Sequence, residues 1–245
     1  MRKFTTLLFD ADNTLLDFHK DERQALIKTM NDYGVPATEE NIKIYSDINQ
    51  GMWKQLERGE ITKPELKRTR FKKFFEAIGF ECSEAPLTVN EHYLSLLGEG
   101  GNTLDGAVET VKDLFEQGYE LHIVTNGIAA TQAKRLTRSG LLPYIKEVFV
   151  SETIGYQKPR KEYFDAVLEK ISEKDKNRIL VIGDSLTSDI KGSMNSGLPC
   201  CWLNHTGETL PVGYAVDFEI RNVRDVLGIV SSSADPWSAK TRDNR

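Results

Sequence analysis

The stretch "TTLLFDADNTLLD", residues 5–17, begins as a strand and ends as a cluster of acids. Its apolar run, centred on Leu7–Phe9, stops at two carboxylates, Asp10 and Asp12, with one residue between them and Thr14 two further on. A short apolar run bounded by polar residues has the length of a buried strand. Two carboxylates at its end are compatible with a tight turn, a helix cap or a cation site. An EF-hand calcium loop fails on position: counting from Asp10, the sixth residue is Leu15 rather than Gly and the twelfth is Asp21 rather than Glu. Only the rest of the chain can separate the remaining readings.

Four further strand-length runs follow: "ELHIV" to Val124, "EVFV" to Val150, "RILVI" to Ile182 and "PCCWL" to Leu203. Between and after them lie the amphipathic segments "AVETVKDLFEQG", "AATQAKRLTRSG", "KEYFDAVLEKIS" and "TSDIKGSMNSG", three of which end in the glycine that stops a helix. This alternation predicts an α/β fold, a doubly wound parallel sheet with helices on both faces. Residues 17–98 break the rhythm. They carry helical faces (Leu26, Met30, Tyr33; Ile48, Met52, Trp53, Leu56; Phe71, Phe74, Phe75, Ile78) separated by the turn-like "YGVPATEE" and "GFECSEAPLT". They are expected to form a small helical cap domain inserted after the first strand. The core would then comprise residues 1–16 and 99–228, with the glycine-rich "GEGGNTLDG" (98–106) as return linker and hinge. Residues 229–245 have no periodicity and are expected to be a disordered tail.

Bulk properties narrow the partners. At 245 residues the chain can bury a core without staples, and a net charge of −5 disfavours nucleic acid or an anionic membrane as partner. No apolar run reaches the roughly 20 residues of a membrane span, and "MRKFTTLLFD" lacks a signal-peptide core, so a cytoplasmic protein is expected. Cys82, Cys200 and Cys201 give no disulfide framework and read as reduced, buried thiols.

Open α/β sheets bind ligands at the carboxyl ends of their strands. The first strand ends in Asp10 and Asp12, the second in Thr125-Asn126-Gly127. The third leads into "SETIGYQKPR" with Lys158, and the fourth into Gly183-Asp184-Ser185, with Asp189 five residues after Asp184. Each alone has a bland reading: a turn, a helix cap, a solvated lysine. Together, four strands deliver carboxylates, a hydroxyl and an ammonium to one edge. A carboxylate is ionised at neutral pH and is a ready nucleophile, but it repels an anionic phosphate. Mg²⁺ held by Asp10 and Asp184 would remove that repulsion. A lysine and a threonine hydroxyl suit the equatorial oxygens of a transferring phosphoryl group. Asp12 can protonate the leaving oxygen and later activate water, which needs a raised pKa.

These residues resemble the four motifs of the haloacid dehalogenase-like (HAD) superfamily, and residues 17–98 resemble its C1-type helical cap. The resemblance implies that Asp10 of "DADNT" becomes an aspartyl-phosphate and that Asp12 is the general acid/base, lending a backbone carbonyl to the metal. It implies that Thr125, with Asn126 beside it, binds the phosphoryl group and that Lys158 steadies Asp10 and the phosphate. In "GDSLTSD", Asp184 would ligate Mg²⁺, Asp189 would ligate or orient metal-bound water, and Gly183 would permit the turn. Asp12 argues against the metal-free dehalogenases of the superfamily, which lack a second aspartate. The combination looks most like the bacterial branch of pyrimidine 5′-nucleotidases, which implies a Mg²⁺-dependent phosphatase of nucleoside monophosphates, as a monomer or weak homodimer. A sugar-phosphate phosphatase, a phosphoglucomutase-like isomerase and a degenerate phosphometabolite-binding domain are the alternatives. In the cap, Trp53, Tyr45, Phe18 and Tyr93 are candidate platforms for a base. His19 and Lys20 lie near the mouth in sequence, and "KRTRFKK" (67–73) is expected to be an exposed basic helix face.

Overall fold

A computed structural model describes residues 3–231. The chain enters strand β1 (Thr6–Phe9), then leaves the sheet for four helices: α1 (Phe18–Asp32), α2 (Glu39–Glu57), α3 (Lys63–Ile78) and α4 (Pro86–Leu97). It returns through α5 (Ala107–Glu116), β2 (Glu120–Thr125), α6 (Ala129–Arg138), β3 (Glu147–Val150), the short α7 (Ser151–Ile154) and α8 (Lys161–Lys170). It ends with β4 (Ile179–Gly183), α9 (Lys191–Ser196), β5 (Cys200–Leu203), β6 (Phe218–Ile220) and α10 (Val226–Ser231). All six strands are parallel, in the order β3-β2-β1-β4-β5-β6. That order reverses direction beside β1, and the reversal opens a crevice at the strands' carboxyl ends.

Burial on both faces explains why the strands are apolar at nearly every position. Leu7 and Phe9 pack on one side with Val111, Leu114 and Val226, whereas Leu8 packs on the other with Phe164 and Val167. Five strands are predicted from sequence, and the described residues form six. β6 is three residues at the sheet edge, too short to show a period. Ile229–Ser231, expected in the tail, instead belong to α10; Val230 is buried and its carbonyl accepts a 3.0 Å bond from the Tyr119 hydroxyl. The remainder of the predicted tail, 232–245, lies outside the described residues. Cys200 and Cys201 are buried thiols on β5 and Cys82 is half-buried; all three are free. No helix among the described residues is long and apolar enough to cross a membrane.

Helices α1–α4 have their own core, where Tyr45, Phe71, Phe74, Phe75 and Tyr93 pack with Leu26 and Met30. Phe74 meets Tyr45 edge-on at 5.6 Å between ring centroids. α3 starts cleanly because Thr62 and Glu65 form a capping box, and it stops at Gly79 in the left-handed region. The two chain crossings between this helical unit and the sheet run side by side. Asp17 N–H donates to Asn102 O at 2.9 Å, and Leu104 N–H donates to Leu15 O at 3.0 Å. On the opposite side, Gln157 Nε2 donates to Leu56 O at 2.5 Å, and Lys63 Nζ donates to Gly127 O (3.1 Å) and Ser151 Oγ (2.8 Å). The helical unit thus rests on the carboxyl ends of the strands.

Truncating the centre of that second core should be costly. Phe74→Ala is expected to destabilise the helical unit by about 3–5 kcal/mol, the usual range for a fully buried phenylalanine. Urea unfolding checks this; a loss below about 1 kcal/mol would mean Phe74 does not anchor the unit.

Candidate active site

β1 and β4 pair in register, Phe9 opposite Ile182, and Asp10 extends the ladder by donating its N–H to Ile182 O at 2.8 Å. Asp10 and Asp184 therefore leave neighbouring strands side by side. Asp189 joins them from the first turn of the next helix, where Ser185 O accepts from both Asp189 N (3.0 Å) and Ile190 N (3.1 Å), a wide π-type turn. Such turns are rare and occur frequently at functional sites. Carboxylate oxygens of Asp10, Asp184 and Asp189 all lie within 4.8 Å of one another.

Lys158 makes this density of negative charge tolerable. Its buried ammonium donates to Asp10 Oδ1 (2.5 Å), Asp189 Oδ1 (2.7 Å) and Val124 O (2.8 Å), which fills its three N–H positions. Asn126 fixes the loop that carries it: Lys158 N–H donates to Asn126 Oδ1, and Asn126 Nδ2 donates to Lys158 O, both at 2.9 Å. Burial holds the Asp10 carboxyl well above the usual range against the lowering pull of Lys158, with Asp189, Asp184 and Asp12 adding to the rise. Asp184 is pushed up to about 8, first by burial and then by Asp189. Asp189, in turn, accepts Ser185 N–H at 3.2 Å. Gly183 permits a close approach rather than a turn: it lies within β4, and a Cβ there would sit 2.3 Å from Asp189 Cγ.

The other acid stands apart from this cluster. After Asp10 the chain doubles back at once. Leu15 and Leu16 N–H both reach Ala11 O (3.0 and 2.8 Å), and Asn13 adopts φ 56°, the only left-handed non-glycine among the described residues. The turn carries Asp12 to the side of the crevice under the helical unit. There both its oxygens accept, Oδ1 from Arg135 Nη1 and Oδ2 from Gln132 Nε2 at 2.7 Å. Arg135 also grips Asp21 of α1 through Nε and Nη2, both at 3.0 Å. Asp21 in turn accepts from Gly101 N, Asn102 N and Asn102 Nδ2 on the return crossing (3.0, 3.3 and 2.6 Å). Thr125 is buried at the end of β2, its hydroxyl oxygen accepting from Gly127 N and Gln132 Nε2, both at 3.0 Å. Thr14 links to Asp184 twice, by Asp184 N–H to Thr14 Oγ1 (3.1 Å) and Thr14 Oγ1 to Asp184 Oδ1 (3.4 Å).

The structure thus gathers Asp10, Lys158, Asp184 and Asp189 into one cluster, places Asp12 beside it on other partners, and keeps Thr125 and Asn126 at its rim. Sequence reading missed Gln132 and Arg135. Their signal is present: on α6 they share the buried face with Leu136, a position where an amphipathic helix ordinarily places apolar residues. Of the four aromatic candidates, Tyr45 and Tyr93 are wholly inside the helical core, whereas Phe18 and Trp53 line a small cavity beside Asp12. His19 and Lys20 are exposed. In "KRTRFKK", Arg68, Lys72 and Lys73 form the exposed basic face, but Arg70 turns inward with Phe71 and is 2% exposed.

Comparisons with known proteins identify the chain's relatives. The family model for haloacid dehalogenase-like hydrolases matches residues 4–197. YfnB of Bacillus subtilis is 41% identical over 236 residues, 94% of this chain and 97% of that protein. A magnesium-bound crystal form of YfnB, in which interdomain movement is described, superposes with a TM-score of 0.88 at 39% identity, covering 94% of this chain and all of that one. Pyrimidine 5′-nucleotidase PynA of Streptococcus pneumoniae is 40% identical over 198 residues (81% of this chain, 83% of PynA). Pyrimidine 5′-nucleotidase YjjG of Escherichia coli is 34% identical over 224 residues (91% of this chain, 96% of YjjG).

The buried lysine makes a direct prediction. Lys158→Met leaves Asp10 and Asp189 buried without their cation and should cost about 3–5 kcal/mol at pH 8. Without the lysine the Asp10 carboxyl, already raised by burial, must take up a proton in the folded state, which becomes easier as pH falls. The cost should therefore shrink between pH 8 and pH 5, and the lysine's own titration lies above that window. Urea unfolding of both proteins at the two pH values, without added metal, checks it; a pH-independent loss would contradict the charge argument. With the family model matched over residues 4–197 and YfnB 41% identical across 94% of the chain's length, the chain belongs to the haloacid dehalogenase-like hydrolases.

Proposed function

We propose that this protein is a Mg²⁺-dependent phosphatase that removes phosphate from pyrimidine nucleoside 5′-monophosphates through an aspartyl-phosphate. One observation carries the reading: a buried carboxylate, Asp10, is held against an ammonium and two further carboxylates, with a second acid, Asp12, on the opposite side of the crevice. The identity to PynA and YjjG supports the choice of leaving group.

The donor set suits Mg²⁺: three carboxylates converge, and hard oxygen ligands are what that ion takes. Burial raises the Asp10 and Asp184 carboxyls, as expected of a cluster built to face a cation. Asp10 and Asp184 would hold the ion, with the Asp12 backbone carbonyl completing the set and Asp189 ligating or orienting its water. When bound, Mg²⁺ would offset the repulsion between Asp10 and the phosphate and neutralise charge on the transferring group.

The chain's own residues then do the rest. Asp10 Oδ attacks phosphorus while the bond to the ester oxygen breaks. Thr125, whose hydroxyl oxygen only accepts from protein groups, would donate to one equatorial oxygen, and Lys158 would reach another by giving up one of its three present bonds. Asp12 delivers a proton to the leaving oxygen. Water next attacks the phosphorus, Asp12 takes its proton, and phosphate leaves Asp10 as a free carboxylate. In the arrangement described here both Asp12 oxygens accept hydrogen bonds, which suits its ionised form. Acting as the acid requires Asp12 to release Arg135 and take up a proton. Arg135 joins Asp12 to Asp21, so that release is tied to the crossings beneath the helical unit.

A phosphate-release screen tests the proposal. Pyrimidine mononucleotides should exceed sugar phosphates in kcat/KM by at least about tenfold. EDTA should silence the enzyme and Mg²⁺ restore it, and Asp10→Asn should be inactive yet folded. Full activity in chelator, or an active Asp10→Asn protein, would overturn the mechanism. A rearranged phosphate ester in place of free phosphate would favour the isomerase alternative.

A further inference from the structure

Between the helical unit and the sheet, beside Asp12, lies a narrow, partly open cavity of about 30 Å³, with room for little more than a water. Asp12, Gln132 and Arg135 line its sheet side; Phe18, Trp53 and Arg70 line its helical side. It therefore sits where the group leaving Asp10-bound phosphorus would depart.

Arg70 is the unusual member of that lining. It is 2% exposed and, among the described residues, forms no ion pair. Its guanidinium donates only to amide oxygens: Nη1 to Asn49 Oδ1 (2.9 Å), and Nε and Nη2 to Asn90 Oδ1 (3.2 and 2.5 Å). It lies 4.9 Å from the Tyr93 ring centroid. The orientation is enforced, because Asn49 Nδ2 is committed to Glu22 Oε1 at 2.6 Å, which turns its oxygen to Arg70. Three of the five N–H donors are used and two remain. Beside it, Asn90 Nδ2 is buried with no partner. A desolvated cation with spare donors is costly unless an electronegative group completes it. The buried Glu22 carboxylate and the Tyr45 and Tyr93 rings offset part of its charge, but they leave two N–H donors over beside the cavity.

We infer that Arg70 recognises the leaving group, donating to a ring carbonyl oxygen of a pyrimidine base flanked by Phe18 and Trp53. The inference rests on the nucleotidase reading above and gives it a discriminating residue. Every pyrimidine base carries the carbonyl at C2, whereas adenine carries none. A six-membered ring enters only when the helical unit rises on its paired crossings, parting Lys63 and Gln157 from the sheet loops.

The test compares kcat/KM for UMP with that for ribose 5-phosphate, which has no ring carbonyl, in wild type, Arg70→Met and Arg70→Lys. Because each ratio is taken within one preparation, partial unfolding of a variant does not change it. Arg70→Met should lower the UMP to ribose 5-phosphate ratio by about tenfold to a hundredfold, as for a lost hydrogen bond from a charged donor, and Arg70→Lys should recover part of it. A wild type without preference for UMP overturns the nucleotidase reading and this inference together. A wild-type preference that survives in Arg70→Met overturns this inference alone.

Discussion

The buried ammonium of Lys158 is the constraint on which the site depends. Three carboxylates within 4.8 Å at the ends of adjacent strands repel one another strongly in a medium of low polarity. Lys158 supplies one fixed positive charge, donates to two of the three, and uses its last N–H on a strand carbonyl. It can do so because Asn126, at the end of β2, clamps its backbone from both sides. The remaining excess of negative charge is what makes the crevice fit for a divalent cation.

A second charged network lies on the other side of the crevice. The chain Asp12–Arg135–Asp21 runs from the crevice to Gly101 and Asn102, on the segment by which the helical unit rejoins the sheet. Gly100 is part of this fit, since a Cβ there would lie 2.5 Å from Asp21 Cγ. A movement of the helical unit would disturb these bonds and also, on the other side, those that tie Gln157 and Thr187 to Leu56 and Glu57.

Much of the fold was legible because its signals are local. Alternating apolar strands and amphipathic helices announced the parallel sheet, and the polar residues after four strands marked the crevice. β6 escaped because three residues at an edge carry no period. Gln132 and Arg135 escaped because a polar residue on a helix reads as solvent-facing, and only the tertiary fold brings Asp12 and Asp21 to them. Arg70 was hidden inside a basic run whose other charges do face solvent, so composition pointed the wrong way for that one residue. Gly183 was legible as special, but the reason, room for the Asp189 carboxylate, is visible only in three dimensions.

The most direct test of the account is to find the phosphoryl group on Asp10. An Asp12→Asn protein given p-nitrophenyl phosphate and Mg²⁺ should become phosphorylated, because nitrophenolate leaves without needing a proton, while hydrolysis of the acyl phosphate is slowed by loss of the base. Acid quenching, borohydride reduction and peptide mass spectrometry should then locate the reduced residue at position 10, in the peptide that carries Thr5–Asp17. An unmodified Asp10 alongside a burst of nitrophenolate, or a phosphoryl group on any other residue, would contradict the account.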